Sequence, residues 1–336
     1  MVITLNRKHE ENGLRPLIPS KDLQGVATLI EAVFSSELDQ AGRLALREMH
    51  RMGRWGFLLG LADYINPDVN THLNGFVWVE NGEIVGNVTV SRNSPLSKHW
   101  FISNVAVSEA YRQQGIARAL MIAAIEFVKE MRGYEISLQV RQGNTPAINL
   151  YQSFGFRMIT ATSYLHLPRI TNVVRQNFPS TLKLRPHKLN LHDSSKAYAL
   201  ARLSIPTNIQ AERPLRQSQF RLSKPELRFN NFWRRLVGLG EHQHYVVEQA
   251  SGNFVATVDI IAGAWRQDHK ISFLVHPDWW GKLEMPLIHE ALSYLASYKP
   301  KPITLQHPAE HEAGIDACKQ LGFREQRTHI WMKLTV

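Results

Sequence analysis

Two stretches of this chain end alike, AINLYQSFGF at 147–156 and GIDACKQLGF at 314–323. The patterns ahead of each run in one order, so the chain reads as two copies of one fold. In the first copy, GFVWVENGEIVGNVTVSRN alternates apolar and polar residues around Asn81-Gly82, a hairpin signal. HWFISNVAV at 99–107 is a strand and SEAYRQQG a polar loop holding Gly115. IARALMIAAIEFVKEMRG is a helix with Ile116, Leu120, Ala124, Phe127 and Met131 at helical spacing. YEISLQVR is a further strand, and Asn144-Thr145 caps a short helix with Pro146 in its first turn and Gly155 past its end. FRMITATSYLHL closes the copy as a strand. The second copy repeats the order with HYVVEQASGNFVATVDI, KISFLVHPDWWG, MPLIHEALSYLASY, PITLQH and the last helix.

A length of 336 residues suits two domains, each with its own core. We place them at 1–168 and 184–336, joined by a basic linker at 169–183 where Pro168 and Pro179 bracket a strand-poor segment. The expected class is α/β (α+β), each domain a mixed, mainly antiparallel sheet flanked by helices. Cys318 is the only cysteine, so neither an intramolecular disulfide nor a cysteine-based zinc site can form, and no metal is expected. The start has no apolar stretch after its charges, and no run approaches the roughly 20 apolar residues of a spanning helix. A cytoplasmic protein without membrane contact is expected.

The net charge of +10 is local. Residues 169–228 hold 12 Lys and Arg against 3 Asp and Glu, whereas 1–168 hold 16 against 15. That stretch reads as a solvated linker and helix face, or as a surface for an acidic partner.

Chemistry concentrates in YRQQGIARAL at 111–120. A loop with Gly115 at its tightest point can aim backbone N–H groups outward, and the helix after it adds its positive end, a cradle for a pyrophosphate. Arg112 and Arg118 can add charge-assisted contacts. The loop pattern alone is weak, with on the order of 0.3 chance matches in a chain this long. NTPAINLYQSFGF is far more specific, with a chance expectation on the order of 1 in 100,000 chains.

Together, at this spacing and element order, the two stretches resemble the GNAT superfamily of acyl-CoA-dependent N-acetyltransferases, closely over about 75–160. The resemblance implies acetyl-CoA as acyl donor. Its pyrophosphate would lie on the backbone of Arg112, Gln113, Gln114, Gly115, Ile116 and Ala117, and its pantetheine arm along Val105, Ala106 and Val107. Asn144 and Ala147 would sit beside that arm and Tyr151 by the thioester sulfur. The implied chemistry is direct transfer: an amine attacks the thioester, a backbone N–H near Val105 polarises the carbonyl, and Tyr151 meets the departing thiolate.

An alkylamine with a pKa near 10.4 is neutral only about once in 2,500 at pH 7, so its proton needs a taker. Relatives that acetylate protein N-termini carry a glutamate where this chain has Gln139, which cannot serve. Glu80, Glu135 or His99 through water, or an amine of lower pKa, remain open. Trp55, Phe57 and Tyr64, in the region where the family shapes its acceptor pocket, read as packing.

In the second copy the loop from Val275 to Gly281 runs six residues against eight from Val107 to Gly115, and Trp279-Trp280 replace Arg112 and its neighbours. His311, Gly314 and Cys318 stand at the positions of Asn144, Ala147 and Tyr151. The sequence thus leads to an N-acetyltransferase acting at its N-terminal domain on a small amine, an amino acid derivative or a peptide N-terminus. The C-terminal domain would be degenerate, kept for structure or to shape the acceptor site. Such a chain would be a monomer, its tandem domains acting as a pseudo-dimer, or a homodimer, and nucleic acid is not an expected partner. The alternative is an acyl-CoA-sensing module that binds nucleic acid or an acidic partner through 169–228.

Overall fold

A computed structural model describes residues 12–35, 47, 50, 74–92, 97–170, 176–188, 190–212, 214–220, 241–264 and 267–336. Trp55, Phe57 and Tyr64 lie outside them. Contacts divide the chain into two units. The first takes the described residues within 1–140, 144–158 and 332–336, and the second those within 141–143 and 159–331.

The first unit opens with β1 (Gly13–Pro16) and α1 (Pro19–Phe34), followed by β2 (Asn74–Glu80), β3 (Glu83–Arg92) and β4 (His99–Val107). Next come α2 (Ile116–Glu130), β5 (Glu135–Arg141) and α3 (Thr145–Ser153). Its strands lie in the order β1-β2-β3-β4-β5, antiparallel except for the parallel pair β4 and β5. Asn81 and Gly82 both have positive φ, the requirement of the tight hairpin turn expected there. Val26, Ala27 and Ile30 of α1 bury against Val77 and Val79 of β2. The apolar stripe of α2 buries Ile116, Leu120, Met121, Ala124, Ile125 and Val128.

β6 (Arg157–Leu167) follows α3 in the chain, yet most of it belongs to the second unit. It pairs antiparallel with β11 (Ile303–Pro308), from Leu167 opposite Ile303 to Thr162 opposite Pro308. Leu165 and Leu167 are buried in that unit's core, each worth about 1.5–3 kcal/mol of burial. The remaining elements are β7 (Leu182–Pro186), α4 (Leu191–Ser204), α5 (Thr207–Glu212), β8 (Glu241–Gln249), β9 (Phe254–Ala262) and β10 (His269–Val275). α6 (Glu284–Leu295), β11, α7 (Glu312–Gln320) and β12 (Arg324–Thr335) complete the chain. The strand order is β12-β6-β11-β10-β9-β8-β7, with β10 and β11 parallel. No helix among the described residues is long and apolar enough to cross a membrane.

The repeat also reaches further toward the N-terminus of each copy than the sequence reading took it. Arg15 forms an ion pair with Asp22 at 2.6 Å, and Arg185 with Asp193 at 2.6 Å. Each arginine also donates to the carbonyl of the proline after it, and each aspartate accepts a backbone N–H ahead of its helix. The repeated Arg-Pro at 15–16 and 185–186 is the signal that could have found it.

Candidate active site

β4 and β5 pair only from His99 opposite Glu135 to Ile102 opposite Leu138. Past Ile102 the ladder stops, and Ser103–Val107 run on without a β5 partner in register. On the other side, β4 pairs with β3 through Ser103–Thr89, then resumes at Ala106–Asn87 and Val107–Gly86. Three steps on β4 answer two on β3, so β4 carries one extra residue. Asn104 lies in this bulge at φ 52. Asn87, fully buried, donates from Nδ2 to the Asn104 carbonyl at 2.9 Å. The strand expected along the donor, Val105-Ala106-Val107, is thus offset from its neighbours by a bulge and parted from β5.

After β4, Glu109–Tyr111 make a single 3₁₀ turn, and Gly115 caps α2 at φ 80. A Cβ on Gly115 would meet no atom within 4 Å, so the glycine is required by its left-handed φ and leaves open space in front of the helix. Gln113 also has positive φ, at 63. Arg112 is exposed and its guanidinium has no partner among the described residues. These features fit an anionic diphosphate. Arg118 differs: its guanidinium donates to Ser153 Oγ at 2.9 Å and lies 5.1 Å from the centre of the Phe154 ring, tying α2 to the end of α3.

Asn144 caps α3, its Oδ1 accepting from Ala147 N at 3.3 Å, which leaves its Nδ2 for another partner. Tyr151 is buried, 6% exposed, with its ring 6.1 Å from that of Phe156. Its hydroxyl has no hydrogen-bond partner among the described residues. Burial pushes its pKa up to about 12, so the phenol keeps its proton at neutral pH.

Of the open choices for a base, His99 and Glu135 pair with each other at 3.2 Å, and Glu135 also holds Lys333 at 2.6 Å. They sit where β4 and β5 begin, six residues or about 20 Å along the strand from Val105. Glu80 accepts from Trp78 Nε1 at 2.9 Å. Gln139 is exposed on β5, the first residue past the last β4–β5 pair.

The sequence model of the acetyltransferase (GNAT) family matches residues 43–156. That stretch is similar to a GNAT acetyltransferase domain. An N-alpha-acetyltransferase of Sulfurisphaera tokodaii is 35% identical over 94 residues, 25% of this chain and 56% of that protein. The chain spans about half the length of the curated relatives it matches. Among solved structures, a GCN5-related N-acetyltransferase from Sphaerobacter thermophilus superposes with a TM-score of 0.62 at 16% identity, covering 96% of this chain and 95% of that one. A tandem GNAT protein from the clavulanic acid biosynthesis pathway superposes with a TM-score of 0.51 at 15% identity, covering 96% and 98%. Both likenesses are of fold, and they extend the GNAT architecture over both units.

The second GNAT-like unit differs at the matching places. β10 pairs with β9 in unbroken register from Lys270–Ile261 to Val275–Ala256, so the bulge is gone. ISNVAV has become ISFLV, one residue shorter, within the strand. The shortening expected in the following loop is not found. Pro277–Trp279 repeat the 3₁₀ turn, and the helix cap, Leu283, lies eight residues after Val275, as Gly115 does after Val107. Gly281, at φ 78, is the counterpart of Gln113 rather than of Gly115. Matching glycine to glycine misplaced the gap, because what the two loops share is a backbone conformation.

Side chains fill this second cleft. Past the last β10–β11 pair, Ile271–Leu305, the Phe273 and His307 rings stack at 4.2 Å. His307 Nε2 is 2.8 Å from His311 Nδ1, and Trp280 stacks on His311 at 4.2 Å. A Cβ on Gly314 would come within 2.5 Å of His307 Nε2, so glycine here makes room for that ring. His311 Nε2 lies 2.9 Å from Glu284 Oε1, and Leu283 N donates to Glu284 Oε2 at 3.1 Å. Burial works to raise the Glu284 pKa. The His311 hydrogen bond and the amides of Glu284 and Gly281 outweigh it and hold the carboxyl below its usual range. The backbone amides at this helix start thus hold an internal anion. Burial also pushes the Cys318 thiol up to about 12.

Proposed function

We propose that the first unit transfers the acetyl group of acetyl-CoA directly to a primary amine. The observation that carries this reading is buried Tyr151, its hydroxyl without a partner among the described residues, on the helix capped by Asn144, in the unit whose β4 is bulged and parted from β5. Arg112 and the backbone of Gln113–Ala117 take the pyrophosphate, and Val105–Val107 take the pantetheine arm, with Asn144 and Ala147 beside it. The neutral amine nitrogen bonds to the acetyl carbon, the carbon–sulfur bond breaks and Tyr151 gives its proton to the thiolate; the proton that the nitrogen loses in becoming an amide returns through solvent to the Tyr151 phenolate, which leaves amide, free thiol and restored phenol.

The base candidates among the described residues narrow the acceptor. His99 and Glu135 stand at the far end of their strands, Glu80 is held by Trp78 Nε1, and Gln139 cannot take a proton. An α-amino group with a pKa near 7.8 is neutral about once in seven at pH 7, a gain of several hundredfold over an alkylamine. Low-pKa amines, such as a peptide N-terminus or an amino acid derivative, are therefore the acceptors, in keeping with the name of the Sulfurisphaera relative. Glu284 and the stacked rings leave the second unit without a transfer centre.

The test is a panel of amines of graded pKa with acetyl-CoA, following free thiol and product mass. α-Amines should turn over fastest. Absence of thiol release from every amine, with salt-sensitive nucleic-acid binding, would replace this reading by a sensing module. Two cations of the basic stretch are already engaged, Arg185 with Asp193 and Glu248, and Lys196 with Glu248, which supports the enzyme.

A further inference from the structure

The second unit has a polar sheet face with a cavity that the transfer chemistry does not use. On the core side, Val258, Ile260, Ile271 and Leu305 are buried. On the other, His244 stands opposite Asp259 and Asp259 opposite Ser272, while Lys270 pairs with both Ile261 and Thr304. Asp259, Ile261, Lys270, Ser272, Thr304 and Gln306 line a cavity of 270 Å³. That is below the roughly 300–1,000 Å³ of sites for drug-sized ligands.

Two groups of opposite charge face this cavity. Asp259 is fixed by His242 Nε2 at 2.9 Å and by His244 Nδ1, both meeting its Oδ1. Burial raises the Asp259 pKa, but the two histidine contacts outweigh it and keep the carboxyl ionised at neutral pH. Lys270 is exposed and has no partner among the described residues. The two are diagonal neighbours on adjacent strands, roughly 7–8 Å apart at Cα. Opposite charges on diagonal neighbours, one of them on a long flexible stem, can each hold one end of a small zwitterion by a charge-assisted hydrogen bond. Ser272 and Thr304 supply hydroxyls and Gln306 an amide.

The register also says which side of a GNAT fold this is. Ile271 opposite Leu305 matches Ile102 opposite Leu138, so Ser272 and Gln306 occupy the places of Ser103 and Gln139. That is the acceptor side, an assignment that rests on the function proposed for the first unit. Side chains fill the donor side of the second unit, and its acceptor side remains concave and charged.

We propose that this face binds a free α-amino acid, its ammonium on Asp259 and its carboxylate on Lys270. The second unit is then a ligand-binding module on an acetyltransferase fold.

The test is calorimetric titration of the full chain with each of the twenty free L-amino acids, then with the N-acetyl and amide forms of the tightest. Binding should fall at least tenfold on N-acetylation, on amidation, and in both Asp259→Asn and Lys270→Met. If none of the twenty binds, or if binding is the same in both variants, the proposal is overturned. Asp259 packs against two histidines, so should Asp259→Asn not fold, Lys270→Met at an exposed position and the two modified ligands decide alone. Thiol release from acetyl-CoA is scored separately, so a chain that binds an amino acid without acetylating any amine defeats only the function proposed for the first unit.

Discussion

Nε2 of His311 lies 2.9 Å from Oε1 of Glu284, and the matching positions of the first unit hold Asn144 and Ile116. One unit therefore leaves its helix start open, while the other places an anion from its own chain there. Coenzyme A should bind with a stoichiometry of one per chain by calorimetry. Two equal sites would mean that Glu284 is displaced by the ligand. Glu284→Ala should lower the unfolding free energy by about 2–3 kcal/mol, since it strips a charged acceptor from buried donors.

Under the proposed role of its hydroxyl as proton donor to the leaving thiolate, Tyr151→Phe should reduce kcat by about 100-fold or more with little change in the donor KM. With its pKa pushed up to about 12, Tyr151 stays a proton donor across the neutral and mildly alkaline range. The pH–rate profile should thus show no alkaline loss from this group below about pH 11. Steady-state kinetics at several pH values checks both expectations.

Asn87 supports the bulge at Asn104, and where the bulge is missing its counterpart is Thr257, opposite Leu274 as Asn87 is opposite Ala106. Its Oδ1 is buried with no hydrogen-bond partner among the described residues, a cost of about 1–3 kcal/mol that packing alone does not require. Asn87→Thr should therefore raise the donor KM by about tenfold, worth about 1.4 kcal/mol, with only a small change in thermal midpoint. A loss of stability at unchanged KM would make Asn87 structural.

His307 is held neutral by burial and by its neighbour His311, with its pKa lowered from 6.5 to about 3. Below pH 6.5 the unfolded chain takes up a proton that the folded one refuses, so stability falls as pH drops from 6.5 toward 3. His307→Phe, which keeps the stack on Phe273, should flatten that slope. Urea denaturation at a series of pH values measures it.

The duplicated ion pairs should matter in both units. Asp22 and Asp193 have side chains 2% exposed, so alanine at either takes a charged acceptor away from its arginine and from a backbone N–H and should cost about 2–3 kcal/mol. Denaturant melts of the two variants test it, and a change within 0.5 kcal/mol, the usual size for a surface position, would rule it out.

The sequence was sufficient for the repeat and for the hairpins with their turns, because each is written in local periodicity. It misplaced the gap between the copies. ISNVAV and ISFLV differ by a residue whose effect is a bulge, and a bulge is defined only by the partner strand. The aligned glycines suggested a loop deletion instead, although the positive φ at Gln113 is what Gly281 shares. The ion-pair chains of Glu284 and Asp259 were also invisible, since their members are far apart in the chain and carry no motif.

By itself the sequence determined two copies of one α/β fold that differ in the loop ahead of the helix and at the positions of Tyr151 and Cys318. Local hydrogen bonding and side-chain alternation suffice for that. The placement of β6 beside β11, the bulge at Asn104 and the filling of the second cleft by Phe273, His307, His311 and Glu284 were decided by the tertiary structure. The reason is physical: a strand's pattern fixes which of its faces is buried, but its partner and register are set by non-local backbone pairing and by the side chains that must fill the space between.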